Sequence, residues 1–381
     1  MDVYTRHRLI WRIGQRILRL WISRIYHYEY EPIRQEGPIL LISNHVSALD
    51  PLFLAVALGG KQIYYVASEH IFRLGFVSKV IRWLVSPIPR RKGAASFDTV
   101  KECLAHLKAG HSVCIFAEGE QSWDGRSIPV AQGTGSLAQT SGAQLVTYRL
   151  DGGYFSLPRW GRGLRQGTIR GRVTGVYPAE ELACMPRERI TYLMNQGIQE
   201  NAWERQKKEK TRFSGKNPAE YLERLLYLCP GCGCIGTLHS RGDRLTCACG
   251  LNLRYTDLCS FEPAVPFATL AEWEDWQKEQ LRCRRFVSNT LDGCLFSDAE
   301  GTLEQIGENH SQTPLGAGRI AQYEDRLECG GRSFPLEDIQ DMAMTQANRL
   351  LFTCRGGYYQ LQVQGPVNLR KYLEIWKEYH Q

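Results

Sequence analysis

One stretch, residues 39–60, leaves the rest of the chain little freedom. Ile39-Leu40-Leu41-Ile42 is an unbroken apolar run, the pattern of a strand buried on both faces. Asp50-Pro51 is a helix start, with a carboxylate at the N-cap and proline at the first helical position. Leu52 to Leu58 continue as an apolar helix that Gly59-Gly60 can end. A buried strand followed at once by a buried helix calls for a sheet covered by helices, an α/β arrangement. His45 sits where the strand leaves the core, and Asp50 follows about one turn later. An imidazole with a carboxylate on one ring nitrogen is fixed in tautomer and aim, and its other nitrogen can take a proton. The same Asp also serves as a plain helix cap.

Downstream, the alternation of strand and helix continues. Residues 62–67 read as strand, 70–84 as helix, 96–108 as a helix capped by Ser96, and 112–117 as a buried strand. Residues 134–141 read as helix and 144–150 as strand. The strand at 112–117 delivers Glu118-Gly119-Glu120-Gln121-Ser122-Trp123-Asp124-Gly125-Arg126 into a loop beyond the sheet, where α/β folds place their chemistry. An ordinary Gly- and Asp-rich turn has the same composition. Pro87-Ile88-Pro89 imposes extended geometry just before Arg90, Arg91 and Lys92. Arginines there can clamp a phosphate, or form a solvated charge run. Gly133-Thr134-Gly135 follows a poor strand and reads as a turn and helix start rather than a dinucleotide loop. Residues 178–226 read as mainly helical, with a break at 212–218 that ends the domain.

The formal net charge of +7 is modest but uneven: Arg6, Arg8, Arg12, Arg16, Arg19 and Arg24 face only Asp2 and Glu29 within residues 1–30. Residues 8–27 read as an amphipathic helix, with arginines on one stripe and Ile10, Ile13, Ile17, Leu20 and Trp21 across from them. A basic stripe beside an apolar face flanked by tryptophan suits the headgroup layer of a membrane. It also suits a helix packed on its own domain, or a transit peptide. No run of 18 uncharged apolar residues occurs, so nothing is expected to span a bilayer. No signal peptide is apparent, and the 13 cysteines are not spread as a disulfide framework. The expectation is a peripheral, monotopic protein on the cytoplasmic face of the cell membrane.

Taken together, the motifs resemble one family. His45 through Asp50 matches the HX4D signature of the PlsC-type glycerolipid acyltransferases. Phe116-Ala117-Glu118-Gly119-Glu120-Gln121-Ser122 resembles that family's FPEGTRS block, and Pro87-Ile88-Pro89-Arg90 its arginine block. Leu145-Val146-Thr147-Tyr148 stands in the place of its last apolar strand. The resemblance implies acyl transfer from acyl-CoA or acyl-carrier protein to a lysophospholipid hydroxyl, with 1-acylglycerol-3-phosphate the default acceptor. It implies His45 as general base oriented by Asp50, and Arg90, Arg91, Glu118, Gly119 and Ser122 as acceptor-binding residues. Three departures bear on the acceptor: Ala117 replaces the block's proline, Glu120 its threonine and Gln121 its arginine. Arg90, Arg91, Arg126 and Arg149 are the cations that can replace the lost one. Acylation of another membrane alcohol, or a degenerate lipid-binding scaffold, are the rival readings.

Cys229-Pro-Gly-Cys232 and Cys247-Ala-Cys249-Gly250 form two cysteine knuckles, the spacing of a structural zinc ribbon. The second pair has one intervening residue where two are usual, so Cys234 and Cys259 are alternative ligands, and a redox pair or buried thiols are alternative readings. Arg241, Asp243 and Arg244 are the charged residues between the knuckles, with no Phe, Tyr or Trp, a poor footprint for nucleic acid. After a helix at 270–282, hairpin signals at Gly330-Gly331 and Arg355-Gly356-Gly357 precede a terminal amphipathic helix capped by Asn368. That succession resembles a pleckstrin-homology-like module. The expected organisation is therefore an amphipathic helix (1–30), an α/β acyltransferase domain with helices flanking the sheet (31–225), a zinc ribbon (226–258), and a β-rich PH-like domain with its terminal helix (259–381).

Overall fold

Ile39–Ser43 is a strand with all five residues buried, as shelter on both faces requires. It lies at the centre of a seven-stranded sheet in the computed structural model, which describes residues 3–73, 75–90, 97–131, 133–307 and 311–380. In chain order the strands are β1 (His27–Tyr30), β2 (Ile39–Ser43), β3 (Ile63–Ser68), β4 (Ile88–Arg90), β5 (Ser112–Phe116) and β6 (Gln144–Asp151). A two-residue β7 (Arg165–Gln166) stands outside the sheet, and β8 (Thr168–Tyr177) completes it. Across the sheet the order is β1-β8-β6-β2-β5-β3-β4. From β6 to β4 all neighbours are parallel; β8 runs antiparallel to β6 and carries β1 parallel to itself.

Register decides where the site falls. Ser43 at the end of β2 lies opposite Phe116 on one side and Tyr148 on the other. The carboxyl ends of β2 and β5 are therefore level, and the residues after them emerge side by side next to the last residues of β6, which runs on to Asp151. Asn44 fastens this end: its amide donates to Leu150 O and accepts from Leu150 N, both at 2.8 Å. The side chain thus continues the ladder where the backbone of β2 turns away.

The helices of this part are α1 (Val3–Ile25), α2 (Asp50–Ala57), α3 (Phe76–Val85), α4 (Phe97–Lys108), α5 (Thr134–Thr140), α6 (Gly153–Ser156), α7 (Ala179–Cys184), α8 (Arg187–Ile198) and α9 (Ala202–Glu209). Leu40, Ile42, Val113 and Leu145 of the sheet pack with Leu137 of α5 and Ile190 and Met194 of α8 in one core. Three expectations change. The single helix at 70–84 is a 3-10 turn (Glu69–Arg73) and then α3, separated by Gly75 at φ 59°. Strand β8 is absent from the sequence reading because Gly171 and Gly175 interrupt its pattern; a Cβ at Gly171 would sit 2.6 Å or closer to the Tyr28 and Tyr148 hydroxyls. Helix stops at Glu209, since Lys210, Asn217 and Tyr221 take left-handed conformations. Ser96, the expected cap of α4, lies outside the described residues.

The described residues separate into two compact units. One holds the chain up to Arg90, from Phe97 to Arg159 and from Leu164 to Gly215, including the short strand β9 (Ser214–Gly215) that pairs with β7. The other holds Trp160–Gly163 and the chain from Lys216 onward. In the second unit a four-stranded antiparallel sheet, β10 (Leu238–Arg241), β11 (Arg244–Cys247), β12 (Asn252–Tyr255) and β13 (Phe261–Glu262), follows the first cysteine knuckle. Helix α10 (Leu270–Arg282) starts from a Thr269/Glu272 capping box. Seven further strands form an antiparallel sheet, and α11 (Arg370–Tyr379) closes the chain. Gly330-Gly331 makes a two-residue hairpin, as does Arg355-Gly356 with both residues at positive φ. Asn368 Oδ1 accepts from Lys371 N at the start of α11.

Replacing Asn44 by Leu strands the Leu150 N–H and C=O in the core. The expected loss is about 3 kcal/mol, measured as a lower denaturant midpoint at unchanged slope in equilibrium unfolding.

Candidate functional site

The turn after β2 is organised by one carboxylate. Asp50 Oδ2 accepts from His45 Nδ1 at 2.8 Å, Val46 N at 2.7 Å and Ser47 N at 2.9 Å, while Oδ1 accepts from Ser47 Oγ at 2.7 Å. Asp50 was expected to cap α2 and does not: Leu49 takes the cap position without a side-chain bond, and the Asp50 carboxylate turns back onto residues 45–47. The reason is competition, since two backbone N–H groups, a hydroxyl and an imidazole in a solvent-free pocket outbid the helix end. A carboxylate only accepts, so the proton of the neutral imidazole lies on Nδ1, and Nε2 keeps its lone pair. The Asp50 side chain has no solvent exposure and that of His45 has 24%. The His45 ring also stacks on Phe116 at 4.4 Å between centroids. Gly153, at the start of α6, presses on this turn; a Cβ there would lie 2.8 Å from Val46 Cγ2.

The loop after β5 is bonded to that turn by backbone. Glu118 Oε1 accepts from His45 N at 2.9 Å and Oε2 from Ile128 N at 2.8 Å, so one buried side chain holds both segments. Burial pushes its carboxyl up to about 8, against the pull of those two N–H groups. Ser122 N donates to His45 O at 2.8 Å, and its hydroxyl donates to Arg126 O and accepts from Gly125 N. Ser122 is fully buried and serves the loop's own shape. Gly119, at φ 74°, lets the Arg90 guanidinium lie against it: a Cβ would stand 3.2 Å from both terminal nitrogens. His45, Asp50, Glu118, Gly119, Ser122 and Arg90 are thus brought together, while Arg91 lies outside the described residues.

The added carboxylate of the loop is matched. Glu120 Oε1 accepts from Arg159 Nη1 at 2.6 Å and from Trp123 Nε1 at 3.1 Å. The Arg159 side chain, 4% exposed, lies over the Trp123 ring at 4.2 Å. Gln121 turns its amide to Val46 O. Of the other candidate cations, Arg126 pairs with Asp124 at 2.8 Å and Arg149 donates to Gln199 O. Beside Arg90 a pocket opens, lined by Val66, Val100, Cys103, Ile115, Ala117 and Leu137. Sequence reasoning missed Ser47, Phe116 and Arg159. Ser47 sits three residues before Asp50 and was findable; nothing in the chain order points to Arg159.

In the second unit Cys229, Cys232, Cys247 and Cys249 converge, all four sulfurs within 4.8 Å of one another. The Cys229–Cys249 and Cys232–Cys247 pairs are 3.6 and 3.8 Å apart. A tetrahedral ion with Zn–S bonds of about 2.3 Å requires sulfurs about 3.8 Å apart, so the set fits zinc. Gly231 leaves the room: a Cβ there would approach Cys249 Sγ to 3.1 Å. Cys234 and Cys259 are not in the cluster.

The Glu118 carboxyl, raised from 4.5 to about 8, holds its proton longer in the folded than in the unfolded chain. Its contribution to stability is full below about pH 4.5 and is lost as pH rises through about 8. Thermal unfolding of wild type against Glu118→Gln across this range is expected to show the gap between them narrowing with rising pH.

Residues 24–151 match a family model described as Acyltransferase. The chain is 31% identical over 169 residues to the 1-acyl-sn-glycerol-3-phosphate acyltransferase LPAT1, chloroplastic, of Arabidopsis thaliana, covering 40% of this chain and 46% of that protein. It is 30% identical over 168 residues to the 1-acyl-sn-glycerol-3-phosphate acyltransferase BAT2, chloroplastic, of Brassica napus, covering 40% and 47%. The chain spans about half the length of the curated relatives it matches. A crystal structure of the 1-acyl-sn-glycerophosphate (LPA) acyltransferase PlsC from Thermotoga maritima aligns with 50% of this chain and 78% of that one, at 19% identity and a TM-score of 0.39. The segment similar to the acyltransferase family model, residues 24 to 151, is the one that carries the His45–Asp50 pair and the Glu118 loop.

Proposed function

We propose that the chain transfers a fatty acyl group from an acyl-CoA or acyl-carrier-protein thioester to the hydroxyl of a lysophospholipid, 1-acylglycerol-3-phosphate above all, giving phosphatidate. The observation that carries the reading is the 2.8 Å bond from His45 Nδ1 to a fully buried Asp50 beyond the level ends of the parallel strands β2 and β5. The acceptor hydroxyl attacks the thioester carbonyl carbon while His45 Nε2 takes its proton. The C–S bond then breaks, and the thiolate leaves with the proton that His45 returns. Asp50 holds the ring and offsets its charge while it is an imidazolium. No enzyme nucleophile takes part. Arg90, against Gly119, is the cation for the acceptor's phosphate, and the apolar pocket beside it suits a hydrocarbon chain. Glu118 and Ser122 act by shaping the loop, since their polar atoms are bonded within it.

One observation favours a second acceptor class. Gln121 stands where the family block has arginine, and its amide is turned to Val46 O. A lysolipid without a phosphomonoester, or another membrane alcohol, is then the alternative acceptor.

The four-cysteine cluster is read as a structural zinc site that ties the two knuckles, with four protein ligands and no place for substrate. The seven-stranded antiparallel sheet with α11 supports the PH-like reading of the C-terminal part. Helix α1 is read as a monotopic anchor on a membrane's cytoplasmic face; no described helix is long and apolar enough to cross a membrane.

Acyl transfer from labelled acyl-CoA and acyl-carrier protein to a panel of lysolipids tests the reading. His45→Ala is expected to lower kcat by about 10²–10⁴-fold. Wild-type transfer confined to another acceptor would keep the mechanism and change the substrate; no transfer at all would favour the lipid-binding scaffold. Metal analysis is expected to find about one zinc per chain, lost in Cys232→Ser together with a lower melting temperature.

A further inference from the structure

Helix α3 is turned inside out for a helix of a soluble fold. Ser78 is its one fully buried residue, while Phe76 is 79%, Val77 52%, Val80 36% and Trp83 54% exposed. Phe76, Val80 and Trp83 follow one another at i, i+4 and i+7, so they line one face of the helix. Scattered apolar residues are normal on a surface, but a continuous stripe of large ones marks a contact.

The stripe has a neighbour of the same kind. Helix α1 touches α3 where His7 Nε2 lies 3.2 Å from Trp83 O and the Arg6 guanidinium stands 5.2 Å from the centre of the Trp83 ring. Outside that contact α1 exposes its own apolar row, with Ile13 57%, Ile17 66% and Leu20 67% exposed. The arginines do not lie across the helix from this row. Arg8, Arg12, Arg16 and Arg19 each stand one position before Leu9, Ile13, Ile17 and Leu20, so the cations flank the apolar row along its length.

Charge then chooses the partner. Helix α1 holds six arginines and α3 holds Lys79 and Arg82, and neither helix contains Asp or Glu. A second copy of this face would bring two sets of cations together. A bilayer with anionic headgroups meets both demands, receiving the apolar side chains in its acyl boundary and the cations at its surface. We propose that α3 is a second membrane-inserting element, entering an anionic leaflet beside α1 through Phe76, Val77, Val80 and Trp83. This rests on the reading of α1 as a membrane-surface helix.

The test is flotation of the full chain with vesicles of phosphatidylcholine containing phosphatidylglycerol, and with phosphatidylcholine alone. Three variants are compared: Phe76→Ser/Trp83→Ser, Lys79→Glu/Arg82→Glu and Ile13→Ser/Ile17→Ser. Wild type is expected to partition more strongly to the anionic vesicles. Losing two large inserted side chains is expected to weaken partitioning about tenfold. The charge reversal on α3 should weaken binding to the anionic vesicles alone, and it keeps the test decisive if the serine pair disturbs the fold. If the α1 variant weakens while both α3 variants partition like wild type, the α3 proposal is overturned and the α1 reading stands. If wild type does not float on either vesicle, both fall. If wild type sediments as an oligomer that the serine pair on α3 dissociates, and vesicles do not compete, the face is a self-association surface and the proposal is overturned.

Discussion

The shared register of β2, β5 and β6 is the constraint from which the site follows. A parallel sheet gives each strand the same direction, and register alone decides whether the ends coincide. Here Ser43, Phe116 and Tyr148 lie in one row, so the segments that follow are within bonding distance without any long reach. Asn44 bonds across to Leu150, Glu118 across to His45, and Ser122 N to His45 O. Each bond joins residues far apart in the chain. The His45 imidazole is thus held by the sheet, through backbone and buried side chains, rather than by a loop of its own.

Charge in the site is arranged with the same economy. Asp50 is enclosed by donors, and Glu120 by Arg159 and Trp123. Glu118 is the member whose burial is least compensated, and its raised carboxyl shows it. Such a group is tolerated because its two oxygens bond N–H groups from the two segments that must stay together. The pairing of Glu120 with Arg159 also changes the meaning of the sequence difference at 120–121. On its own, a glutamate there looks repulsive to a phosphate; paired, it is part of the loop's frame, and Arg90 is the cation that lies against Gly119.

Much of this was legible in the chain. The apolar runs at 39–42 and 112–117 become β2 and β5, because central parallel strands have no polar face to confuse the pattern. The prolines around Arg90 do give an extended segment, β4. The cysteine knuckles converge in spite of the short Cys247–Cys249 spacing, because Gly231 lets the first knuckle close on the second. The failures have equally local causes. Glycines that accommodate tyrosine hydroxyls hid β8, and a left-handed Lys210 ended a helical pattern that composition would have prolonged. The role of Asp50 in capping was a misjudged competition: the N-cap preference is worth about 1 kcal/mol, less than the combined bonds from residues 45–47. Arg159 was illegible because its partner is 39 positions away.

Helix α1 does not hang on a tether. Its Trp11 packs against Tyr65 at 6.2 Å between ring centres, and the Tyr65 hydroxyl donates to Pro51 O at 2.9 Å, next to Asp50. Gly60, at φ 90°, allows the backbone of Trp11 and Arg12 to come close. The helix that would rest on lipid is therefore linked, through Tyr65, to the residue beside Asp50. With α1 on lipid as proposed, the height of His45 above the bilayer would be a dimension of the fold. Under the proposed function such a chain would measure its substrate from the membrane plane: the chemistry would fall at one set depth along a lipid, and an acceptor would be selected partly by how far its hydroxyl stands out from the surface.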